Sequence, residues 1–392
     1  MSEVSTLPAE TDGALAADAL WPPRESPAVP TAGPAAASRL PLVVGAAVGV
    51  VLGVLIARGA LPWGAAALGI GALGVILALW PQLLLHELGH LALGRLVGLR
   101  AVLVGLGRWR WERGAQGWRR YRGSAVTGLG GFALMLPPQG RLGRAALAAY
   151  ALGGALANLG AALACIALLG LVPPGSWWAP LLAGAALAGA LLAVINLIPF
   201  RHHGWSTDGM LVREMVLNDA SGRARLATLR VLGLGYAGVR ARDWPTARLP
   251  LAEVPEDPML HSTLHAIHLA VALDTQQCPS ADVHARALCR AFPELPPAVR
   301  GPVAVALGEY LALQRRDPAR LAAWLPHCAD GLFDLGAQRA WLRAELRCLE
   351  GDAAGAREDI ATARAGCVGL SDRASAQRLQ QRLDALERAG GA

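Results

Sequence analysis

The chain has 392 residues, of which 54% are hydrophobic and 17% are charged. This composition excludes a chain that is disordered throughout. Three uncharged runs, of 17, 27 and 56 residues, at 41–57, 59–85 and 145–200, argue against a soluble globule. The formal net charge of +7 comes from 36 basic residues, all of them arginine, and 29 acidic residues. We therefore expect an integral membrane protein.

The first part of the chain has a different composition. Residues 1–40 are rich in proline, alanine and acidic side chains and have no apolar periodicity, so we expect a disordered tail. The tail lacks the charged start of a secretory signal, and the first apolar run begins only at Pro41.

The apolar runs predict a mainly α-helical polytopic membrane protein. About four transmembrane helices are expected in a membrane-embedded domain at 41–210, which precedes a soluble helical domain at 211–392. The expected spans are about 41–57, 64–97, 146–172 and 177–198.

Arginine counts predict the orientation. The link 99–144 carries nine Arg and one Glu, whereas the turns at 58–63 and 173–176 carry one Arg between them. Because positive charge near helix ends favours the cytoplasmic side, we expect both termini in the cytoplasm and a multi-pass protein of the bacterial inner membrane. A nucleic-acid-binding face is disfavoured, because the excess charge belongs to the membrane half and lysine is absent.

Within the link, arginine alternates with aromatic residues at 108–111 and 118–121. This pattern predicts a small β element at the level of the lipid headgroups, with aromatic side chains in the interface. The alternative interpretation is a loop without regular structure that orients the protein through its charge.

The soluble region contains three similar stretches, at 235–249, 308–324 and 344–360. Each is predicted to form a helix, a short turn at an aspartate and a second helix. This pattern resembles a tetratricopeptide-type array, whose concave surface would bind a cytosolic protein partner. An ordinary helical domain is the alternative.

The chemistry is expected at His86-Glu87-Leu88-Gly89-His90, an HExxH motif inside a predicted span. Residues four apart on a helix share a face, so both imidazoles can bind one zinc ion while Glu87 activates a water molecule. Glu87 is also the only acidic residue in a predicted span, and an ionisable side chain in a lipid-spanning helix costs several kcal/mol. Packing alone therefore does not explain the motif.

A catalytic zinc takes three protein ligands and keeps one open position, so a third ligand is required. Asp208, the first carboxylate after Glu112, follows the last predicted span, and Gly209 beside it would allow a close backbone approach.

Together these motifs resemble the site-2 protease family of intramembrane zinc metalloproteases. The resemblance rests on HELGH in one span, on Gly154-x-x-x-Asn158 in a later one, and on Asn196-x-x-Pro199 followed by Asp208-Gly209. It covers roughly residues 60–215. It implies a core of three transmembrane helices, one zinc ion per chain held by His86, His90 and Asp208, and Glu87 as the residue that activates water.

The resemblance also implies a transmembrane protein as substrate. The segment at about 101–137 would then form membrane-associated strands that pair with an unwound stretch of that substrate.

One feature departs from the family pattern. Eight residues, 200–207, separate Pro199 from Asp208, whereas many family members have about four. His202 and His203 lie in this stretch, so either is an alternative third ligand, and the other interpretation of both is a basic cluster at the headgroups.

Asn158 and Asn196 are two of only three asparagines in the chain, and both lie in predicted spans. Each is a candidate to hold the substrate backbone or the developing oxyanion. The alternative is a hydrogen bond between helices, worth about 0.6 to 2 kcal/mol.

The sequence thus predicts an intramembrane zinc metalloendopeptidase that cuts transmembrane substrates near the cytoplasmic side of the bilayer. The competing hypothesis is a membrane scaffold without proteolytic activity, whose helical repeat domain binds a cytosolic partner.

Overall fold

The computed structural model describes residues 20–23, 64–114, 116–123, 130–173, 175–202, 204–245 and 257–390. These residues are mainly helical, and they include a small antiparallel sheet, as predicted. The predicted span at 41–57 lies outside the described residues.

Three described helices are long and apolar enough to cross a membrane. They are α1 (Gly64–Leu96), α2 (Arg144–Leu169) and α3 (Trp178–Leu197), and their bounds agree with three of the predicted spans to within three residues. Even α3, with 20 residues, extends about 30 Å, which matches the hydrocarbon core of a bilayer. The three helices pack against one another, and apolar side chains such as those of Leu73 and Ile76 remain exposed on the outside, as a lipid-facing surface requires.

A four-stranded antiparallel sheet follows α1. It contains β1 (Arg100–Leu106), β2 (Trp109–Gly114), β3 (Gly117–Arg122) and β4 (Gly131–Leu136), in the order β3-β2-β1-β4.

The predicted alternation of arginine and aromatic residues falls in β2 and β3. Arg120 and Arg122 of β3 both lie over the Trp109 ring, at 4.8 Å from its centroid. The alternation therefore places cations and an aromatic ring on one face of the sheet, where they form cation–π contacts.

After α3 the chain forms a two-stranded hairpin, β5 (Arg201–His202) and β6 (Trp205–Ser206), and then continues as helices. These helices are α4 (Asp208–Leu217), α5 (Ala220–Ala237), α6 (Pro258–Asp274), α7 (Cys278–Ala291), α8 (Pro297–Tyr310), α9 (Pro318–Trp324), α10 (Gly336–Glu350), α11 (Ala353–Cys367) and α12 (Arg373–Gly390). The largest core of the C-terminal region lies among α6 to α12.

The predicted helix–turn–helix pattern is present at 308–324 and 344–360, whereas the end of the third stretch, 246–249, lies outside the described residues. Asp317 caps α9, because its carboxylate accepts a hydrogen bond from the Arg320 backbone at 3.0 Å, and Asp352 caps α11 in the same way through Gly355 at 2.9 Å. Asp243 instead lies in a 3-10 turn after α5. A tandem tetratricopeptide array remains a prediction.

The sheet is bound to the C-terminal region by a buried carboxylate. Glu112 of β2 accepts hydrogen bonds from Arg119 at 2.8 Å and from Ser371 at 2.7 Å, and Arg119 also pairs with Asp334 at 2.9 Å. Because β4 also packs against α1, the sheet connects the C-terminal region to the helix that carries the HExxH motif.

Residues 20–23, which lie within the stretch predicted to be disordered, contact the C-terminal region. Leu20 is buried in the core of the C-terminal region, and its carbonyl accepts a hydrogen bond from the Trp324 indole at 2.9 Å. The guanidinium of Arg320 lies over the Trp21 ring, 5.3 Å from its centroid. Burial of the Leu20 side chain and the contact of Trp21 with Arg320 hold this short segment against the C-terminal region.

Candidate metal centre

The HExxH residues lie in the last third of α1, on the side that faces α2. His86, Glu87 and His90 are all buried, with exposed fractions of 5 to 7%. Their burial inside the helix bundle means that each polar group needs a partner from a neighbouring element.

Three metal-ligating atoms converge at this point. The Nε2 atoms of His86 and His90 are 3.1 Å apart, and Asp208 Oδ2 lies 3.1 Å from the first and 3.3 Å from the second. In a tetrahedral site with bonds of about 2.0 to 2.1 Å, neighbouring ligand atoms lie ~3.3 to 3.4 Å apart. The three side chains therefore form a group that could hold a metal ion.

The hydrogen bond made by the outer nitrogen, Nδ1, of each imidazole determines which tautomer the ring adopts. His90 Nδ1 lies 2.8 Å from the Tyr150 carbonyl, which only accepts, so this nitrogen carries the proton. His86 Nδ1 lies 2.8 Å from Asn158 Oδ1. The Asn158 amide is oriented because its Nδ2 donates to the Gln82 carbonyl at 2.7 Å and to Gln82 Oε1 at 2.8 Å. With the outer nitrogen of each ring carrying the proton, the inner Nε2 of a neutral ring has a free lone pair.

This arrangement fits a cation. Two lone pairs and a carboxylate oxygen face one another at about 3 Å, and Asp208 Oδ2, although buried, has no hydrogen-bond partner among the described residues. Without a positive charge between them these atoms repel one another. A divalent metal ion would ligate all three, and the hydrogen bonds on the far side of the rings are those typical of metal-bound histidines.

Glu87 lies beside the ligands without joining them. Its side chain packs against Gly131 at the start of β4, and its buried Oε2 has no hydrogen-bond partner among the described residues. A buried carboxylate oxygen in this state is available to a water molecule or a substrate group.

Glycines allow α1 and α2 to approach closely at the site. A β-carbon at Gly89, inside the HExxH motif, would overlap the Gly153 carbonyl. Gly154, next along α2, leaves the space that the His86 ring occupies. Asn158 lies one turn further along α2 and is fully buried. In the Gly154-x-x-x-Asn158 motif, Gly154 therefore leaves room for the His86 ring, and Asn158 supplies its hydrogen-bond partner.

Asp208 reaches the two histidines because the residues between it and Pro199 fold back on themselves. The hairpin β5–β6 lies between Phe200 and Thr207, and the Thr207 backbone amide donates to the Phe200 carbonyl at 3.1 Å. The Thr207 hydroxyl donates to the Ile198 carbonyl at 2.7 Å. The residues between Phe200 and Thr207 thus form a hairpin whose two ends lie side by side. As a result, Asp208 begins α4 next to the end of α3.

The start of α4 is held by two further contacts. A β-carbon at Gly209 would overlap the Leu197 carbonyl, so only glycine permits this approach of α4 to α3. Glu214, fully buried on α4, pairs with Arg225 at 2.7 Å and with Arg201 at 3.0 Å.

The Arg225 guanidinium is buried, and burial lowers its pKa, but Glu214 and Asp257 raise the pKa above its usual value and keep the charge. This network attaches both the hairpin and α4 to α5.

The other predicted residues are not part of this cluster. Asn196 donates to the Leu192 carbonyl of its own helix at 2.9 Å. The His202 side chain and the whole of His203 lie outside the described residues, so the alternative ligands are not tested.

Sequence reasoning missed Gln82 and Tyr150. Gln82 could have been found, since it is a polar residue in an uncharged run, four positions before His86 and so on the same helix face. Tyr150 contributes a backbone carbonyl, which has no sequence signature.

Comparison with protein-family models, with curated proteins and with solved structures finds no match to this chain.

Proposed function

We propose that this protein is a zinc-dependent intramembrane endopeptidase similar to the site-2 proteases. The observation that carries the proposal is the convergence of two imidazole nitrogens and one carboxylate oxygen within 3.3 Å of one another, next to a buried glutamate, in a bundle of three apolar helices.

The donor set favours zinc. Two imidazoles and one carboxylate are the ligands of well-known zinc hydrolases, and they leave one coordination position open. An ion held there would polarise a water molecule and a peptide carbonyl and would lower the pKa of the water toward ~7.

In this proposal, the proton of the attacking water is transferred by a side chain of the protein. Glu87 accepts a proton from the attacking water through its unpartnered Oε2 and delivers it to the leaving amine. Asn158 and the Tyr150 carbonyl keep His86 and His90 in the tautomer that ligates through Nε2. Asn158 is therefore a positioning residue in this proposal, whereas Asn196 remains the candidate for contact with substrate.

The substrate would be a transmembrane protein that is locally unwound, because helical peptide bonds are hydrogen-bonded and shielded. Among the described residues, β4 pairs with β1 on one side only, and its first residue, Gly131, contacts Glu87. An extended stretch of substrate could add to the other edge of β4, with its backbone next to the catalytic carboxylate.

The site would lie near the cytoplasmic face of a bacterial inner membrane. His86 and His90 are near the end of α1, and Asp208 follows α3 directly, so the ligands come from helix ends that meet. The arginine-rich link next to them favours the cytoplasmic side. The C-terminal helices would then be cytoplasmic and available to bind a cytosolic protein.

Replacement of Glu87 by Gln tests the catalytic assignment. In detergent, the variant E87Q is expected to leave a single-span reporter substrate uncut and to retain about one zinc per chain. His86→Ala is expected to lose both cleavage and the zinc ion held tightly at this site. The matched control is Glu345→Gln, a partly buried glutamate of α10 that bonds to Trp341, which should cleave at the native rate.

Two outcomes would contradict the proposal. Cleavage by E87Q would show that another group accepts the proton. A native chain that holds no zinc and cuts no reporter would favour the scaffold hypothesis.

A further inference from the structure

Four of the nine histidines of the chain lie together in the C-terminal region, away from the membrane helices. His261, His265 and His268 are on α6, and His284 is on α7. The proposed protease activity uses none of them.

The first two repeat the geometry of the membrane site. His261 and His265 are four residues apart, their Nε2 atoms are 3.2 Å apart, and their rings lie 4.5 Å apart at 81°. The corresponding values for His86 and His90 are 3.1 Å, 4.7 Å and 86°. Both pairs therefore present two inner nitrogens to one point in space.

A third histidine sits where an orienting group is needed. His265 Nδ1 lies 2.9 Å from His284 Nδ1, and His284 is 8% exposed. When His265 Nδ1 donates in this hydrogen bond, His265 Nε2 has a free lone pair, which faces His261. His284 thus stands to His265 as Asn158 stands to His86.

The rings of His265 and His284 are neutral at physiological pH. Burial, followed by the neighbouring histidines, lowers the pKa of His265 to about 4, and burial together with His268 lowers that of His284 to about 4. Neutral imidazole is the form that ligates a metal.

We propose that His261 and His265 bind a divalent transition-metal ion, with His284 as the residue that orients His265 and with water completing the coordination. Imidazole pairs suit Zn²⁺, Ni²⁺ and Cu²⁺ rather than Mg²⁺ or Ca²⁺. Among the described residues, a group of three converging ligands occurs only at His86, His90 and Asp208. The second site therefore holds its ion through two protein ligands and exchanges it more readily.

Equilibrium dialysis of the full chain in detergent against Zn²⁺ tests this site. After removal of metal with a chelator, the native chain is expected to bind one Zn²⁺ tightly and a second one more weakly. The variant His86→Ala/His90→Ala should retain only the weaker ion. In that background, His261→Gln or His265→Gln should abolish Zn²⁺ binding, since each removes one of two ligands and keeps a polar side chain of similar size.

Two further variants separate ligation from packing. His284→Leu should keep the stoichiometry of one and weaken binding roughly 10-fold, the usual effect of losing an orienting partner. His327→Gln, at a histidine of the same region that packs on Phe292, should bind Zn²⁺ as the parent does.

Thermal unfolding without metal checks that each variant is folded. Undiminished Zn²⁺ binding by folded His261→Gln and His265→Gln chains would overturn the inference. The measurement requires no proteolytic activity, so its result is independent of the function proposed above.

Discussion

Gly154 of α2 lies directly against the imidazole of His86, so close that a β-carbon at this position would overlap three atoms of the ring. The glycine is thus part of the metal site although it supplies no ligand. Its role differs from that of a glycine in a tight turn, because what matters here is the space it leaves and not its backbone conformation.

Gly154→Ala is expected to displace the His86 ring, to lower metal affinity at least ~10-fold, and to destabilise the protein by about 1 to 3 kcal/mol through overpacking. The matched control is Gly160→Ala on the same helix, where a β-carbon would meet nothing within 4 Å. The control should keep its zinc and be unchanged or slightly more stable, since alanine favours a helix. Zinc content and thermal unfolding in detergent measure both effects, and equal zinc content in the two variants would contradict this role of Gly154.

Asn158 and Asn196 are expected to respond differently to replacement by Ala. Asn158→Ala removes the partner of His86 Nδ1 and leaves the Gln82 side chain unpaired in a buried position. Zinc affinity should fall roughly 10- to 100-fold, with about 1 to 3 kcal/mol of lost stability.

Asn196→Ala should retain zinc, because Asn196 bonds only within its own helix among the described contacts. Zinc titration together with the cleavage rate measures both variants. Retained zinc with lost cleavage in Asn196→Ala would support its predicted contact with substrate, and tight zinc binding by Asn158→Ala would contradict the positioning role.

Removal of residues 202–205 tests the third ligand. The deletion joins Arg201 to Ser206, which are paired across the hairpin, and leaves four residues between Pro199 and Asp208. We expect zinc content near one per chain and preserved cleavage, since Thr207 stays bonded to Ile198 and still directs Asp208 to the site.

Asp208→Ala in the full-length chain is the counterpart and should lose zinc. If the deletion loses zinc and Asp208→Ala keeps it, His202 or His203 is the ligand instead.

Leu20→Ala is expected to destabilise the C-terminal region by about 2 to 5 kcal/mol, the usual cost of truncating a buried leucine. Urea unfolding and the rate of proteolysis near residue 20 measure the effect. Trp21→Ala is the neighbouring control. Trp21 is 42% exposed and contacts Arg320 through its ring face, so its loss should cost below about 1 kcal/mol. Equal effects of the two substitutions would contradict the anchoring role of Leu20.

The sequence was sufficient for features set by local pattern. Uncharged runs predicted α1, α2 and α3, and alternation of arginine with aromatic residues predicted strands at β2 and β3. The HExxH spacing brought His86 and His90 onto one helix face, because that depends only on helix geometry.

Features that depend on contacts between residues far apart in the sequence could not be predicted from local sequence patterns. The return of the chain through β5 and β6 depends on hydrogen bonds between Thr207, Ile198 and Phe200, and no local pattern specifies them. Similarly, the support of α4 by Glu214 and Arg225 joins two helices through a buried ion pair. Such pairings are determined by the packed structure.

The burial of Leu20 against Trp324 constrains how many times the chain passes through the bilayer. The two residues must share one compartment, so the number of passages between residues 23 and 204 must be even. Helices α1 to α3 are long and apolar enough to supply three. The uncharged run 41–57, outside the described residues, is the remaining stretch of suitable length to supply another.

Reporter fusions after residue 60 and after residue 392 would then report opposite sides. The non-covalent contact of residues 20–23 with the C-terminal region would then tie together the two segments that flank the membrane helices on the same side of the bilayer.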